Sequence, residues 1–417
     1  MMWQLALKSL VNRRATALLT LFTIAISVTL LLGVERIRTE AKASFANTIS
    51  GTDLIVGARS GQVNLLLYSV FRIGNATNNI DWNSYQHLTG HPSVKWAIPI
   101  SLGDSHRGFR VVGTNGSYFA HYKYGYKQPL AFQEGKAFSQ TLDAVIGSSV
   151  AKELGYNVGD EIVIAHGIAD RKFARHDNLP FTVTGILSPT GTPVDRSVHV
   201  PLAGIEAIHI GWESGARLGK GPDPSQIDNY KLEPEQITAV LLGLNSRLKA
   251  FAVQREVNEY RQEPLTAIMP GVALHELWQM MSVAEQALLV VSVFVVVAGL
   301  LGMLSTLLST LNERRREMAI LRAVGAKPVH IFTLLMSEAT LLTLAGEVLG
   351  IALLYGILAI ASPILSANYG LLLPIRGLSE YEWMLAGLIL AGGVIIGVVP
   401  ALLACKRSLS DGMTMRV

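Results

Sequence analysis

Long apolar runs dominate two regions of the chain, one near residue 20 and the other beyond residue 285. Residues 15–34, 286–312 and 383–405 contain no charged side chain, and residues 332–365 contain only Glu338 and Glu347. About 20 helical residues at 1.5 Å each span a hydrocarbon core of ~30 Å. The pattern therefore predicts four transmembrane helices. The two glutamates either face the protein interior or, for Glu338, lie near the cytoplasmic interface.

Short segments rich in Val and Ile alternate with helical segments between the first two apolar runs. The predicted strands are 52–58, 94–100, 109–113, 143–147, 161–165, 181–187 and 237–244. Helical spacing appears at 148–154 and 246–260. This alternation predicts a large α+β domain inserted between membrane helices 1 and 2. Residues 35–47 and 274–285, which flank the domain, can continue the two helices outward as a stalk.

Composition and charge support this arrangement and orient it. Only 16% of the 417 residues are charged, whereas soluble domains carry ~25%. Eleven of the 35 basic residues fall in 1–14, 313–331 and 406–417, which together hold three acidic residues. Basic residues accumulate on the cytoplasmic side of membrane proteins. Both termini and the short loop are therefore predicted to be cytoplasmic, and residues 35–285 to lie outside.

In chain order the sequence predicts nine segments. They are a cytoplasmic interfacial helix (1–14), membrane helix 1 (15–34), the periplasmic domain with its stalk ends (35–285), membrane helix 2 (286–312), a cytoplasmic coupling loop (313–331), membrane helix 3 (332–365), a short periplasmic loop (366–382), membrane helix 4 (383–405) and a cytoplasmic tail (406–417). Residues 1–14 can instead be a cytoplasmic extension of membrane helix 1.

The coupling loop carries the most informative local pattern. Met318, Leu321 and Val324 form an apolar stripe, Gly325 suits a left-handed helix stop, and Pro328 ends the turn. An ordinary basic loop explains the arginines but not a helix with a defined stop. We expect this helix to dock a cytoplasmic partner. The candidate docking residues are Glu313, Arg314, Arg315, Arg316, Glu317, Met318, Leu321, Arg322, Val324 and Lys327.

Motifs for catalysis are missing from the sequence. The nearest match to a phosphate-binding loop, Gly219-Lys220, is followed by Gly221 instead of Ser or Thr. We therefore expect no catalytic residue and no cofactor in this chain. The single cysteine, Cys405, excludes an intrachain disulfide and a cysteine-based metal site.

Histidines offer one weak candidate for metal binding. His87 and His91 are four residues apart, a spacing that can clamp a metal ion on a helix. Pro92 would end that helix at once, and surface histidines at ordinary frequency are the simpler explanation of the pair.

Several stretches of the chain resemble one known family. The loop sequence ERRREMAILRAVGAKP is similar to the signature of the FtsX-like permeases, also called the MacB family. The order of one helix, a large external domain and three helices also matches. Further similar stretches are TDLIVGA (52–58), GSSVAKELGYNVGDE (147–161), SEATLLTLAGEVLG (337–350) and PALLA (400–404).

The resemblance implies an ABC transporter permease in the bacterial inner membrane that is not itself an enzyme. It implies two copies of a cytoplasmic ATPase, which hold ATP and Mg²⁺, and a second permease copy that forms a homodimer. A periplasmic protein is a further expected partner, and nucleic acid is not. The family's macrolide exporter carries its ATPase fused at the N-terminus, and no such segment is present here, so we expect a separate ATPase subunit.

The implied mechanism is mechanotransmission. ATP hydrolysis inside would move the periplasmic domain, which would export or extract a substrate or lipoprotein. Alternatives are a non-transport regulator of a periplasmic partner protein, a complex linked to metal homeostasis, and a sensor of an external ligand.

Overall fold

The computed structural model describes residues 2–166, 178–211, 227, 229–313, 315–369 and 374–410. It divides into two compact units. We call residues 1–40, 282–363 and 373–417 the helical unit, and residues 41–281 and 364–372 the sheet unit.

Twelve α-helices lie in the described residues. They are α1 (Met2–Asn12), α2 (Arg14–Thr48), α3 (Gln62–Ser69), α4 (Trp82–Thr89), α5 (Ser117–His121), α6 (Ser148–Leu154), α7 (Leu202–His209), α8 (Ala250–Asn258), α9 (Pro270–Glu313), α10 (Arg315–Ala323), α11 (Pro328–Tyr369) and α12 (Glu380–Ser410). Short 3-10 helices cover Pro193–Arg196 and Arg247–Lys249.

The strands all belong to the sheet unit. They are β1 (Leu54–Ala58), β2 (Ile80–Asp81), β3 (Val94–His106), β4 (Phe109–Thr114), β5 (Lys123–Tyr124), β6 (Gln128–Pro129), β7 (Phe132–Gly135), β8 (Asp143–Ile146), β9 (Glu161–Ile162), β10 (Ala165–His166), β11 (Phe181–Leu187), β12 (Ser197–Pro201), β13 (Gln236–Ile237), β14 (Ala239–Leu244) and β15 (Leu265–Ile268).

Four of the helices, α2, α9, α11 and α12, are long and apolar enough to cross a membrane. Small residues let them approach closely, as is usual between membrane helices. A side chain added at Gly350 of α11 would meet the backbone oxygen of Ala25 in α2 at 2.7 Å. The Thr29 hydroxyl donates a hydrogen bond to the Gly350 carbonyl at 2.9 Å, and the Ser27 hydroxyl donates one to the Val295 carbonyl of α9 at 3.1 Å.

An eleven-stranded mixed sheet forms the centre of the sheet unit. Its main order is β15-β1-β14-β3-β4-β12-β8-β11-β7, with β10 paired to β3 and β9 paired to β11. The β4–β12 and β8–β11 pairs are parallel and the others antiparallel. Strands β1, β8 and β14 are buried along their whole length. Strands and helices are thus mixed in one layered domain, so the predicted α+β class is confirmed.

Two predicted strands are divided in the structure. The segment 237–244 breaks at Thr238, whose amide donates to the Ile100 carbonyl and whose hydroxyl accepts from the Leu102 amide. This lets β13 leave the main sheet and pair with β2. The segment 161–165 likewise separates into β9 and the start of β10, which pair with different neighbours.

The helices that flank the sheet unit are longer than the apolar runs predicted for the membrane. Helix α2 has 35 residues and α9 has 44, and the stretches 35–47 and 274–285 are helical throughout. Within the sheet unit, the Phe45 ring lies 4.5 Å from the Phe71 ring and 5.5 Å from the Trp278 indole, centroid to centroid. Residues near the outer ends of both helices therefore belong to the core of the sheet unit.

Candidate functional site

A short loop whose backbone is held by two hydrogen bonds follows α10. Gly325 has a φ of +97°, the left-handed conformation that glycine adopts readily. The Gly325 amide donates to the Arg322 carbonyl and the Ala326 amide to the Leu321 carbonyl, both at 2.9 Å. This pair of bonds is the Schellman pattern of a helix end. The stop predicted at Gly325 is therefore present in the structure.

The next helix begins three residues later with equally specific caps. Pro328 occupies the first position of α11, where a missing backbone N–H costs nothing. The Lys327 amide donates to Nδ1 of His330 at 3.0 Å. The loop from α10 to α11 thus has little freedom, and α10 keeps a fixed direction relative to α11.

Met318 attaches α10 to the membrane helices. Its side chain packs on a buried cluster contributed by the ends of α9, α11 and α12. The cluster consists of Leu311, Ile331, Leu335, Ala401 and Ala404. Met318 therefore faces the membrane helices, and its role in docking stays a prediction.

A different apolar face of α10 is open to solvent. Ile320 is 64% exposed and Val324 is 84% exposed, and Ala319 and Ala323 beside them are also exposed. These four residues, which we call the outer face of α10, recur at helical i, i+3 and i+4 spacing. Met318 and Val324 are six residues apart, and six residues turn a helix by about 600°, so the two lie on different sides of it.

The other predicted docking residues fall into two groups. Leu321 and Arg322 are half-buried and Lys327 is exposed at the loop. Arg314 and the side chains of Glu313, Arg315, Arg316 and Glu317 lie outside the described residues.

Sequence reasoning missed a buried ion pair at the other end of the helical unit. Arg36 of α2 is fully buried, and its guanidinium donates two bonds of 2.9 Å to the Glu382 carboxylate in α12. It also donates to the carbonyls of Arg376 and Gly377 at 2.9 Å each. A second pair joins Arg376 to Glu40 at 2.6 Å. Together these bonds tie α2 to α12 and to the segment that precedes α12.

The only sequence signal for this pair was a basic residue directly after an apolar run. Such residues usually reach solvent or lipid headgroups, so the sequence does not distinguish Arg36 from an ordinary basic residue at the end of a membrane helix. Glu338 and Glu347 of α11 are also buried, with 2% and 6% exposure. The structure thus agrees with a protein-facing environment for both carboxyl groups.

His87 and His91 do not form the helical pair that their spacing suggested. Helix α4 ends at Thr89 with Gly90 as its cap, so His91 lies beyond it. Nε2 of His91 is 3.1 Å from a Glu256 carboxylate oxygen, and its Nδ1 accepts from the Ser93 amide. The His87 ring stacks on Tyr260. Each imidazole thus has its own contacts, although both line one small pocket.

Two family models match the chain. The model described as MacB-like periplasmic core domain matches residues 17–259. The model described as FtsX-like permease C-terminal matches residues 289–412. Together they cover both the sheet unit and the last three membrane helices.

Curated relatives agree with these matches. The chain is 22% identical over 406 residues to the macrolide export ATP-binding/permease protein MacB of Photorhabdus laumondii, covering 95% of this chain and 58% of that protein. It is 25% identical over 282 residues to the pyoverdine export ATP-binding/permease protein PvdT of Pseudomonas savastanoi, covering 64% of this chain and 39% of that protein. The chain thus spans about half the length of these relatives.

Solved structures of external domains also match. The periplasmic region of MacB from Actinobacillus actinomycetemcomitans is 11% identical, with a TM-score of 0.34, over 55% of this chain and 94% of that one. The extracellular domain of the ABC-type transporter YknZ is 13% identical, with a TM-score of 0.30, over 52% of this chain and 99% of that one.

Proposed function

This chain belongs to the family of ABC transporter permeases that join a MacB-like periplasmic core domain to an FtsX-like C-terminal region, and we propose that it couples ATP hydrolysis on a separate cytoplasmic ATPase to movement of that periplasmic domain. In this proposal the chain is in a bacterial inner membrane, with both termini and α10 in the cytoplasm. Two copies of the ATPase hold ATP and Mg²⁺, and the permease pairs with a second copy of itself.

The observation that carries the proposal is the outer face of α10. A short helix with two exposed branched side chains, Ile320 and Val324, is a typical anchor for a hydrophobic groove on a partner. Its inner face is held by Met318, and its end is fixed by the Gly325 stop. A push on the outer face would therefore reach α9, α11 and α12 without being absorbed by a flexible loop.

Continuity of the two long helices supports the second half of the proposal. Neither α2 nor α9 is interrupted between the apolar run and the residues that pack in the sheet unit. A helix transmits displacement along its axis because each turn is hydrogen-bonded to the next. Phe45 and Trp278 anchor the outer ends in the domain core.

The names of the relatives support export over the regulator alternative. Both curated relatives are named for export, one of a macrolide and one of pyoverdine. We therefore propose export or extraction of a substrate from the periplasmic side. A regulator would instead bind a periplasmic protein and leave substrate efflux unchanged when the chain is deleted.

A docking experiment tests the proposal. The ATPase recovered with the chain from native membranes is titrated against Ile320→Asp and Val324→Asp variants in lipid nanodiscs. An unpaired carboxylate buried in the interface costs on the order of 3 kcal/mol, so we expect ~100-fold weaker binding. Both positions are exposed in the chain itself, so the fold should not change.

A matched control separates docking from a general effect of charge. Leu248 is 93% exposed in the sheet unit, and Leu248→Asp should bind the ATPase like the wild type. Wild-type affinity in both α10 variants would show that the ATPase docks elsewhere and would overturn the proposal.

A further inference from the structure

Three potential metal ligands come together in the sheet unit from segments distant in sequence. Asp104 is in β3, His166 is in β10, and the antiparallel pairing of these strands places the two residues directly opposite each other. His209 is the last residue of α7. Among the described residues, these three form the one group of carboxylate and imidazole side chains close enough to share an ion.

The distances fit the edges of a small coordination polyhedron. Nδ1 of His166 is 3.0 Å from Oδ1 of Asp104, and Nε2 of His209 is 3.6 Å from Oδ2. One ligand atom from each residue lies within 4.8 Å of the other two. In a tetrahedral zinc site with bonds near 2.0–2.1 Å, ligand atoms are roughly 3.3 Å apart. Two of the three ligand-atom separations are therefore close to that value.

Burial favours a cation at this place. The Asp104 side chain is 6% exposed, while His166 and His209 are 37% and 33% exposed. Removing a carboxylate from water is costly unless it is paired. A metal ion shared with the two imidazoles would supply the positive partner that the Asp104 carboxylate needs.

The imidazole rings show what metal binding would change. They are almost parallel, at 6°, with centroids 4.6 Å apart. Lone pairs of nitrogen lie in the ring plane, so two stacked rings cannot both point at one ion. One ring must turn about its Cβ–Cγ bond, and His166 has the solvent exposure to do so. The structure shows the stacked arrangement, and metal binding would require the turned one.

We propose that Asp104, His166 and His209 bind one divalent late first-row transition-metal ion, with Zn²⁺ as the first choice. Two imidazoles and one carboxylate are donors that suit Zn²⁺ and its neighbours over Mg²⁺ or Ca²⁺. Three protein ligands leave a fourth tetrahedral position for water. This inference does not depend on the proposed coupling function.

Zinc binding by the full-length chain tests the inference. The chain is purified in detergent without a polyhistidine tag, stripped with chelator and titrated with ZnCl₂ by isothermal titration calorimetry. We expect one site per chain. Removing a residue that only hydrogen-bonds to a metal ligand lowers metal affinity by ~10–100-fold. Removing a ligand itself, in His166→Gln or Asp104→Asn, should therefore lower zinc affinity at least as much.

A control variant distinguishes this site from other histidines. His87→Gln changes a histidine of the other candidate pair and should keep wild-type zinc affinity. The Gln amide in His166→Gln can still donate a hydrogen bond to Asp104, so we expect this variant to fold. Its unfolding temperature without metal checks this and keeps the test valid if Asp104→Asn folds poorly. No zinc binding by the wild type, or wild-type affinity in His166→Gln, would overturn the inference and leave only a hydrogen-bonded cluster.

Discussion

Removal of the Arg36 guanidinium should destabilise the helical unit far more than removal of a neighbouring arginine. In Arg36→Met, the Glu382 carboxylate stays buried at 1% exposure and loses both of its 2.9 Å bonds to Arg36. Breaking a buried pair by removing one partner costs ~3–5 kcal/mol, because a buried charge is left uncompensated. The carbonyls of Arg376 and Gly377 also lose their donor.

Arg38→Met provides the matched control on the same helix. Arg38 is 33% exposed and pairs with Glu35 at i,i+3. Exposed pairs of this kind contribute ~0.2–1 kcal/mol. The free energy of unfolding of the detergent-solubilised chain, from denaturant titration, should therefore fall by several kcal/mol in Arg36→Met and by less than ~1 kcal/mol in Arg38→Met.

A double variant completes the test. Arg36→Met combined with Glu382→Gln removes both charges, so no uncompensated charge is left buried. The double variant should recover most of the loss seen in Arg36→Met. If Arg36→Met is no worse than Arg38→Met, or if the double variant loses the sum of both single effects, the pair does not tie α2 to α12 as described.

Three further predictions concern packing, pH and topology. Gly350→Leu should lower the free energy of unfolding by ~1–3 kcal/mol, because the new side chain overpacks the α2–α11 contact. Gly356→Leu is the control: no atom lies within 4 Å of its new Cβ, so the same unfolding assay should show no change. Burial, aided by the charge of a nearby arginine, lowers the pKa of His199 to about 3. The free energy of unfolding of the sheet unit should therefore fall as the pH is lowered from about 6.5 toward 3. In His199→Gln this decrease should be smaller. In a Cys405→Ala background, Leu248→Cys should react with an impermeant thiol reagent from the periplasmic side, and protection there would reverse the topology.

The four membrane helices and the mixed domain could be predicted from sequence because their signals are local. A run such as 15–34 needs only its own composition to reveal a membrane helix, and Gly325 with Pro328 reveals a helix stop within four residues. These features do not depend on which residues meet in space.

Features that depend on tertiary pairing could not be predicted in the same way. Arg36 and Glu382 are 346 residues apart. The local sequence around each residue does not show whether the two form a buried pair or lie exposed at the ends of their helices. His166 meets Asp104 only because β10 pairs with β3 in one register. The direction of Met318 is likewise set by a cluster from three other helices, so the spacing on α10 alone could not show which side of the helix is exposed.

Coupling across the membrane is tested most directly by a distance measurement on the permease–ATPase complex in lipid nanodiscs. Spin labels at Leu248→Cys, in the Cys405→Ala background, report the separation of the two periplasmic domains of the proposed homodimer by double electron–electron resonance. We expect the distance distribution to shift when ATP with vanadate replaces the nucleotide-free state. Ala41→Pro interrupts α2 at a cost of ~3 kcal/mol or more, and it should abolish the shift while ATPase binding is retained. An unchanged distribution in the wild type during active ATP hydrolysis would contradict the coupling mechanism.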